Sequence, residues 1–575
     1  MLKLFRFLKP YRWQLFWVVS FLFAQSLAEL YLPTLMSDVV NEGMMKGDTG
    51  YIWEFGSYML YVALGSSICS IIASYLSALT GLGLGRDIRD EVFSRVQSYS
   101  LQEFDQVGTA SLITRTTNDI IQVQTLVVMG LRFMVFAPIM CFGGIIMAYS
   151  MDKELTLVLA VVLPIMLLLI WALAGVIVPL FKSMQVKLDQ VNLVLRENLT
   201  GIRVIRAFNR INSENERFNK ANRELTDVSI RVNKIMAVMQ PIMIIILNFT
   251  SLAIIWFGGY RISQDQMQVG EMMAFLQYAM QVMFSIIMVT FMFVMVPRAQ
   301  ASAHRVNEVL GVETDIKDPV HSVEPAAEGG RLEFRDVTFS YPGAALPALI
   351  NISFTAVAGQ VTAIIGGTGS GKSTLINMIP RFYDVDSGCV LVDEVDVRQM
   401  TQQRLRAKIG FVPQTPVLFS GTVSENIRYG KVDATDEEVA RAAEIAQASE
   451  FIANMTGGFE AQIAQGGANL SGGQKQRLSI ARALVRNAGI YVLDDSFSAL
   501  DFKTDALLRV ALKKETAGAI VIIVAQRVGT VMDADQIIVL DEGQIAGIGK
   551  HRELLRSCGV YREIVSSQLS EEEIA

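Results

Sequence analysis

One stretch decides the fold: Gly366-Gly367-Thr368-Gly369-Ser370-Gly371-Lys372-Ser373, which matches the phosphate-binding pattern G-x-x-x-x-G-K-[ST]. Its glycines let backbone N–H groups converge on phosphate oxygens, the lysine adds a positive charge, and the last serine offers a hydroxyl to Mg²⁺. A β-branched run (360–365) precedes it, and the apolar residues 374–379 that follow are typical of a helix. Strand, glycine-rich loop and helix place phosphate at a helix N-terminus, so the sequence predicts a nucleoside triphosphate site and not an accidental glycine-rich turn.

The composition indicates a membrane part joined to a soluble part. The 575 residues are enough for more than one domain. A hydrophobic fraction of 51% and a mean hydropathy of +0.38 are high for a soluble protein that binds nucleotide. The net charge of −6 argues against a nucleic-acid partner. The four cysteines and three histidines are scattered, so we expect neither a disulfide framework nor a metal site beyond nucleotide-bound Mg²⁺.

Six stretches in the first half are long and apolar enough to cross a lipid bilayer, which needs about 20 such residues. They are approximately Trp13–Met36, Phe55–Leu84, Phe133–Tyr149, Leu155–Leu180, Ile235–Gly259 and Met272–Val296. Most of the Lys and Arg residues lie in the two long loops, between spans two and three and between spans four and five. The positive-inside rule therefore places those loops, both termini and the nucleotide site in the cytoplasm.

The two long loops are expected to be helical extensions of the spans. They show apolar residues at helical spacing and contain no proline. Each would reverse at a short segment far from the membrane, near Leu112–Gln122 and near Arg206–Phe218. Those reversals are the natural contact points for a soluble domain.

Two features of the spans are candidates for substrate recognition. Spans five and six are rich in methionine, a flexible side chain that suits varied apolar partners; the candidates are Met280, Met283 and Met288. The alternative is that these methionines face lipid or pack helices together. Glu29 is the one acid within a span, where a carboxylate usually faces a cavity or a partner. It suits a cationic substrate, unless it only reaches water near the outer end of its span.

Further motifs follow a linker at residues 311–330, where periodicity disappears. Residues from Arg331 alternate as a strand, and Gln414 follows another apolar run. The sequence Leu470-Ser471-Gly472-Gly473-Gln474 precedes an apolar strand that ends in Asp494-Asp495, with Ser498-Ala499-Leu500-Asp501 after it.

In this order the motifs resemble the ABC exporters over essentially the whole chain, as a half-transporter with six membrane helices fused to one nucleotide-binding domain. The resemblance implies a multi-domain fold: an all-α transmembrane domain of six helices extended into the cytoplasm, of the type I exporter kind, and an α/β P-loop NTPase domain with a helical subdomain. The expected domains are residues 1–310 for the membrane part, 311–330 for the linker and 331–575 for the nucleotide-binding part. The reversals of the two long loops resemble the coupling helices of that family.

The resemblance assigns roles to individual residues. The ATP phosphates are held by the loop residues Gly366, Gly367, Thr368, Gly369, Ser370, Gly371, Lys372, Ser373 and Thr374. Tyr341 is similar to the aromatic that stacks on adenine. Mg²⁺ is contacted by Ser373, Gln414 and Asp494, with Gln414 also reaching the attacking water. The signature Ser471, Gly472, Gly473 and Gln474 closes on the ATP of a second domain, because the family works as a head-to-tail dimer.

Two positions depart from the family pattern. Asp495 stands where the family has a glutamate that polarises water, and its shorter side chain withdraws the carboxylate by about 1 Å, a misplacement that can cost about 100-fold in rate. Gln526 stands where the family has a switch histidine, and it cannot carry a proton or a positive charge. A homodimer that tolerates both changes would have no competent site. We therefore expect a heterodimer, whose partner supplies the working glutamate and histidine.

The expected function is ATP-driven export of amphipathic or hydrophobic compounds of the multidrug type across the cytoplasmic membrane of a bacterium. The chain resembles the degenerate-site subunit of heterodimeric bacterial multidrug exporters. Export of lipid, siderophore or peptide is the alternative, because the sequence carries no code for the cargo. A membrane-bound subunit that senses ATP without productive turnover is the alternative from another functional class.

Overall fold

A computed structural model of the chain describes residues 2–324 and 330–569. It divides into two compact units. The first unit comprises the chain up to Ser98 together with Val107–Val312. The second comprises Tyr99–Gln106 and the chain from Glu313 onward. A short piece of the first half of the sequence thus belongs to the unit that carries the phosphate-binding loop.

The first half of the chain is helical. A 3-10 helix, Leu2–Tyr11, precedes the first long helix, and a π-helical turn, Val39–Met44, follows it. The α-helices are α1 (Arg12–Asp38), α2 (Thr49–Gln97), α3 (Leu101–Val107), α4 (Thr109–Thr116), α5 (Asn118–Met151), α6 (Thr156–Thr200), α7 (Ile202–Ala207), α8 (Ile211–Ser263) and α9 (Val269–Gly311).

Side-chain caps mark where two of the long helices begin. The carboxylate of Asp48 accepts the Tyr51 N–H at 3.1 Å before the first turn of α2. At the start of α9, the Gln268 N–H donates to Glu271 at 2.8 Å as part of a capping box. These contacts satisfy backbone donors that a helix terminus leaves without an internal partner.

Among residues 2–324 and 330–569, six helical segments are long and apolar enough to cross a membrane, which confirms the predicted number of spans. The helical extensions are also present. With 49 residues at about 1.5 Å each, α2 is roughly 70 Å long, more than twice the roughly 30 Å of a bilayer core.

Both loop reversals come earlier in the chain than the sequence indicates. The first lies between α2 and α5 and contains α3 and α4, whereas the prediction began at Leu112, inside α4. Gly108, with φ of +77°, separates the two short helices, and a glycine adopts this left-handed conformation readily. The second reversal lies around α7, before most of the predicted range Arg206–Phe218.

The helices of the first unit pack in pairs, chiefly α5 against α9, α1 against α2, and α6 against α8. An ion pair stabilises the contact of α5 with α9. The guanidinium of Arg305 donates to both carboxylate oxygens of Asp119, from Nε at 2.8 Å and also from Nη2. Asp119 is 2% exposed, so its charge depends on this partner.

The second unit continues with strands and shorter helices. Its strands are β1 (Arg331–Phe339), β2 (Leu349–Val357), β3 (Val361–Gly366), β4 (Ser387–Val392), β5 (Val395–Asp396), β6 (Ile409–Val412), β7 (Gly421–Thr422), β8 (Gln462–Ile463), β9 (Ile490–Asp494), β10 (Ile520–Val524), β11 (Gln536–Asp541) and β12 (Gln544–Gly549). Its helices are α10 (Lys372–Asn377), α11 (Gln402–Ala407), α12 (Val423–Arg428), α13 (Asp436–Ile445), α14 (Ser449–Ala453), α15 (Gly472–Leu484), α16 (Phe502–Glu515), α17 (Val528–Val531), α18 (His551–Ser557) and α19 (Gly559–Ser566).

These strands form a four-stranded antiparallel sheet in the order β2-β1-β4-β5 and a six-stranded sheet in the order β12-β11-β3-β10-β9-β6. In the larger sheet only β12 runs antiparallel to its neighbour. The parallel strands β9 and β10 are buried along their whole length, as expected of a sheet covered on both faces. An all-α membrane part and an α/β nucleotide-binding part confirm the predicted fold class.

Candidate functional site

The strand order of the larger sheet brings the candidate residues to one edge. The strands β3, β10, β9 and β6 are neighbours and run parallel. The phosphate-binding loop follows β3, Asp494 ends β9, Gln526 follows β10 and Gln414 follows β6. Ligands of open α/β sheets bind at the carboxyl ends of such strands.

The glycine-rich loop is tightly constrained where it leaves β3 and open along its middle. A Cβ added at Gly366 would lie 2.2 Å from the carbonyl oxygen of Leu540 in β11, so only glycine fits. Gly371, immediately before α10, has a φ of +94°, which also favours glycine. Gly367 and Gly369 have no atom within 4 Å of an added Cβ, and their backbone is free to approach a ligand.

Lys372 lies against the loop that it follows. Its ammonium donates to the carbonyl oxygens of Gly366 at 3.0 Å and Gly367 at 2.6 Å, with the hydroxyl of Ser370 at 3.4 Å. Burial lowers the pKa of this ammonium, while the nearby carboxylates of Asp494 and Asp495 oppose the shift. The ammonium therefore lies against the phosphate-binding loop itself, whose residues Gly367, Thr368 and Gly369 are exposed.

Ser373 and Asp494 form a hydroxyl–carboxylate pair between α10 and β9. Burial raises the pKa of the Asp494 carboxyl, the hydrogen bond from Ser373 opposes that shift, and the charge of Asp495 adds to it. A hydroxyl and a carboxylate are ligands that suit Mg²⁺, which in nucleotide sites takes its remaining ligands from phosphate and water. The residues present therefore fit Mg²⁺ bound together with a nucleotide.

Two glutamine side chains contact the carboxylate of Asp495. Gln526 Nε2 donates to Asp495 Oδ2 at 3.3 Å, and Gln414 Nε2 lies 3.5 Å from the same oxygen. Burial raises the pKa of this carboxyl, opposed by the hydrogen bonds of Gln414 and Ser498 and by the charge of Arg527. The sequence-predicted residues Asp495, Gln414 and Gln526 thus form one cluster.

Tyr341 lies beside α10 within an aromatic group. Its ring packs edge-on against Phe339, at 5.0 Å between ring centroids, and against Tyr383, at 5.5 Å. Its hydroxyl is 3.0 Å from that of Thr374 in α10. The side chain is 37% exposed, so it retains surface on which a base can stack.

The signature residues lie at the N-terminus of α15. Ser471 Oγ accepts the Gln474 N–H at 3.3 Å, and Gln474 Oε1 accepts the Ser471 N–H at 2.9 Å. Gly472 is exposed and Gly473 is half-buried. Within residues 330–569, no hydrogen bond joins this segment to the phosphate-binding loop. The signature therefore presents an open helix end instead of completing the chain's own loop.

The candidate substrate residues of the first unit differ in their surroundings. Met280 is exposed and Met288 is half-buried, but Met283 is buried among other apolar side chains, including Met166 and Met243. Met283 thus offers no surface to a substrate in this conformation. Glu29 is half-buried and accepts a hydrogen bond from Gln25 Nε2 at 2.8 Å.

Sequence reasoning missed several residues of the site. Tyr383 carries no motif, and only the folded chain brings it to Tyr341. Ser498 was visible in the sequence without a role; its hydroxyl donates to the Asp495 carbonyl at 2.9 Å. Asp495 itself has a φ of +45°, which is uncommon for a residue other than glycine and occurs at functional sites. Nothing in the local sequence signals that backbone conformation.

Comparisons with known proteins agree with this arrangement. Residues 15–286 match the model described as the ABC transporter transmembrane region, and residues 349–498 match the model described as ABC transporter. An uncharacterised ABC transporter ATP-binding protein of Mycobacterium tuberculosis is 42% identical over 98% of this chain and 97% of its own length. Another from Bacillus subtilis is 38% identical over 100% of this chain and 99% of its own length.

A more distant relative has a named activity. The ATP-dependent lipid A-core flippase of Syntrophus aciditrophicus is 31% identical over 90% of this chain and 85% of its own length. The solved structure of a bacterial Atm1-family ABC exporter with ATP bound has the same fold, with a TM-score of 0.81, 24% identity, and coverage of 97% of this chain and 99% of that one. The chain therefore belongs to the ABC transporter family, as a multi-pass half-transporter that binds ATP and couples its hydrolysis to transport.

Proposed function

We propose that this chain is one subunit of a heterodimeric ABC exporter of the bacterial cytoplasmic membrane. It holds a weakly hydrolytic ATP site of its own and lends an intact signature to the competent site of its partner. The partner, a second half-transporter chain, supplies the glutamate and the histidine that this chain lacks. Both termini and the nucleotide-binding domain, which we assign to residues 331–575, lie in the cytoplasm.

The observation that carries the proposal is the clustering of Asp495, Gln414 and Gln526. A general base must reach the proton that it takes, and the Asp495 carboxylate is short for that role. Its Oδ2 atom faces two amide donors, Gln526 at 3.3 Å and Gln414 at 3.5 Å. Neither amide can accept or carry a proton in place of an imidazole. The site has what binding requires, but it lacks both groups that make the attacking water reactive.

ATP binding at this site rests on the loop Gly366–Thr374, the Lys372 ammonium and the aromatic face of Tyr341. Ser373 and Asp494 would hold Mg²⁺, directly or through water, and Gln414 would approach it from β6. When bound, the ion neutralises charge on the phosphates. This chain's own residues then orient the nucleotide, and they retain it because its hydrolysis is slow.

We infer that the cargo is amphipathic or hydrophobic and varied in structure. Exposed apolar side chains, Met280 among them, suit partners of several shapes. Lipid export is the second candidate, favoured by the flippase among the relatives. ATP-dependent uptake of a panel of dyes and labelled lipids into inside-out vesicles separates the two.

The ATPase rate of the chain purified alone tests the heterodimer directly. We expect little hydrolysis by the lone chain and restored hydrolysis when its partner is co-expressed. The double substitution Asp495→Glu with Gln526→His should increase hydrolysis at this chain's own site, since it restores both missing groups. Vigorous hydrolysis by the unmodified lone chain would contradict the proposal.

A further inference from the structure

A cluster of polar side chains joins three of the membrane helices around Glu29. Gln25 Nε2 donates to Glu29 Oε1 at 2.8 Å, and the Ser66 hydroxyl of α2 lies 3.5 Å from the same oxygen. From α9, Gln281 Nε2 donates to the backbone carbonyl of Glu29 at 3.2 Å. Gln25 and Ser66 are each only 6% exposed. Glu29 is therefore surrounded by polar side chains from α1, α2 and α9 and is not an isolated acid near water.

This cluster has more acceptors than donors. Both amide nitrogens face oxygen atoms of Glu29, which fixes the orientation of the two amides. The amide oxygens of Gln25 and Gln281 are then buried without a hydrogen-bond donor. Among the described residues, no Lys, Arg or His pairs with the Glu29 carboxylate. Unpaired acceptors and an unpaired negative charge are both unfavourable inside a membrane.

The neighbouring polar contact between the same helices is complete by comparison. Tyr278 of α9 is fully buried, and its hydroxyl donates to the Leu30 carbonyl of α1 at 2.9 Å. Its oxygen lies 2.7 Å from the Thr34 hydroxyl, which can donate to it. The Tyr278 hydroxyl, which holds the two helices together, thus has both a hydrogen-bond acceptor and a hydrogen-bond donor. The Glu29 cluster lies about one turn further along α9, at Gln281, and its two buried amide oxygens have no donor.

We propose that the Glu29 cluster binds the protonated amine of a cationic substrate. Such a group brings the positive charge that Glu29 lacks and the N–H donors that the oxygens of Gln25 and Gln281 lack. A quaternary cation would supply the positive charge but no N–H donor. A neutral compound without N–H groups would supply neither. The inference rests on the proposed export function only in treating the bound amine as cargo.

Three dyes separate charge from hydrogen bonding in a binding measurement. Rhodamine 6G is a cation with N–H groups, the ethyl ester of rhodamine B is a cation of similar shape without them, and Nile red is neutral. Fluorescence anisotropy would be followed on the full-length chain with its partner in nanodiscs, with empty nanodiscs as the blank. The variants are Glu29→Gln, Gln281→Leu and the matched control Glu54→Gln, which changes an exposed glutamate of α2.

Glu29→Gln should weaken rhodamine 6G binding about tenfold or more, as expected for loss of a charged hydrogen-bond partner, and leave Nile red unchanged. Gln281→Leu should weaken rhodamine 6G about fivefold and spare the ester, because it removes an acceptor without removing the charge. Glu54→Gln should change none of the three. Unchanged rhodamine 6G affinity in Glu29→Gln, or an equal loss for all three dyes, would overturn the proposal.

A second measurement, the transport of the same dyes into inside-out vesicles, distinguishes a failure of the amine site from a failure of the proposed export function. If the unmodified complex moves none of the dyes while Glu29→Gln still weakens rhodamine 6G selectively, the export function fails and the amine site stands. If the complex exports rhodamine 6G and Glu29→Gln changes neither that export nor the affinity for the dye, export stands and the amine site is wrong.

Discussion

Substituting Asp495 by Asn should leave ATP hydrolysis by the complete transporter almost unchanged. Asparagine keeps an oxygen toward Gln414 and Gln526, whose hydrogen bonds to Asp495 are already long at 3.5 Å and 3.3 Å. If the short carboxylate is misplaced by about 1 Å, the site works about 100-fold more slowly than a competent one. It then contributes about 1% of turnover, so its complete loss should lie within the error of a rate measurement.

Substituting Ser471 by Arg should have the opposite effect. The change removes a hydroxyl and adds bulk at the open end of α15, which we propose faces the ATP of the partner's site. We expect at least about a 100-fold loss of hydrolysis, comparable to losing a group that stabilises the transition state. The lost cap to the Gln474 N–H, a 3.3 Å contact, should itself cost only about 1 kcal/mol of stability.

Thr435 provides a matched control. It caps α13 through the same kind of reciprocal contact, its hydroxyl accepting the Glu438 N–H at 3.2 Å. Thr435→Arg should therefore reduce stability about as much as Ser471→Arg and leave hydrolysis largely intact. Rates would be measured at saturating Mg-ATP on the purified complex, with thermal unfolding of each variant alongside. Comparable losses from Asp495→Asn and Ser471→Arg would refute the asymmetry and favour two equal sites.

Two further substitutions test the packing that supports the site and the membrane unit. Gly366→Ala would place a Cβ 2.2 Å from the Leu540 carbonyl, so we expect lower thermal stability, by about 1–3 kcal/mol, and weaker photolabelling by an ATP analogue; normal stability and labelling would contradict this contact. Arg305→Ala leaves the buried Asp119 carboxylate without its ion-pair partner, so we expect a loss of about 3 kcal/mol in detergent unfolding assays. An unchanged melting temperature would mean that Asp119 finds another donor.

Much of the fold could be predicted because its signals are long or highly specific. Apolar runs predict membrane helices wherever backbone groups must be satisfied within the segment, and the structure has six such spans. The strand before the glycine-rich loop and the helix after it are β3 and α10. The strand β10, which pairs with β3, and the next strand, β9, are buried along their length, as in a parallel sheet covered on both faces, and their carboxyl ends share one edge.

Other features depend on contacts between distant parts of the chain. The sequence treats Met280 and Met283 alike, yet one is exposed and the other is buried, because methionine-rich helices do not indicate which face packs. The reversal expected to begin at Leu112 comes earlier, because the helical spacing of apolar residues in this loop does not show the break at Gly108, where φ is +77°. The acceptor-rich site around Glu29 arises from three helices that are far apart in sequence.

Because Tyr99–Gln106 belongs to the unit that begins again at Glu313, the protein cannot be divided into its two units by one cut of the chain. The buried Glu103 carboxylate accepts the Ser100 N–H at 2.6 Å and the Asp315 N–H at 3.1 Å, and Gln102 donates to the Asp315 carboxylate at 3.0 Å. A soluble ATPase fragment starting near Glu313 would leave the Asp315 amide without its acceptor, however complete its sheet. Neither unit is therefore encoded by one continuous stretch of the gene. Recombination between relatives near Glu313 would leave residues 99–106 from one parent inside a unit whose remainder comes from the other parent.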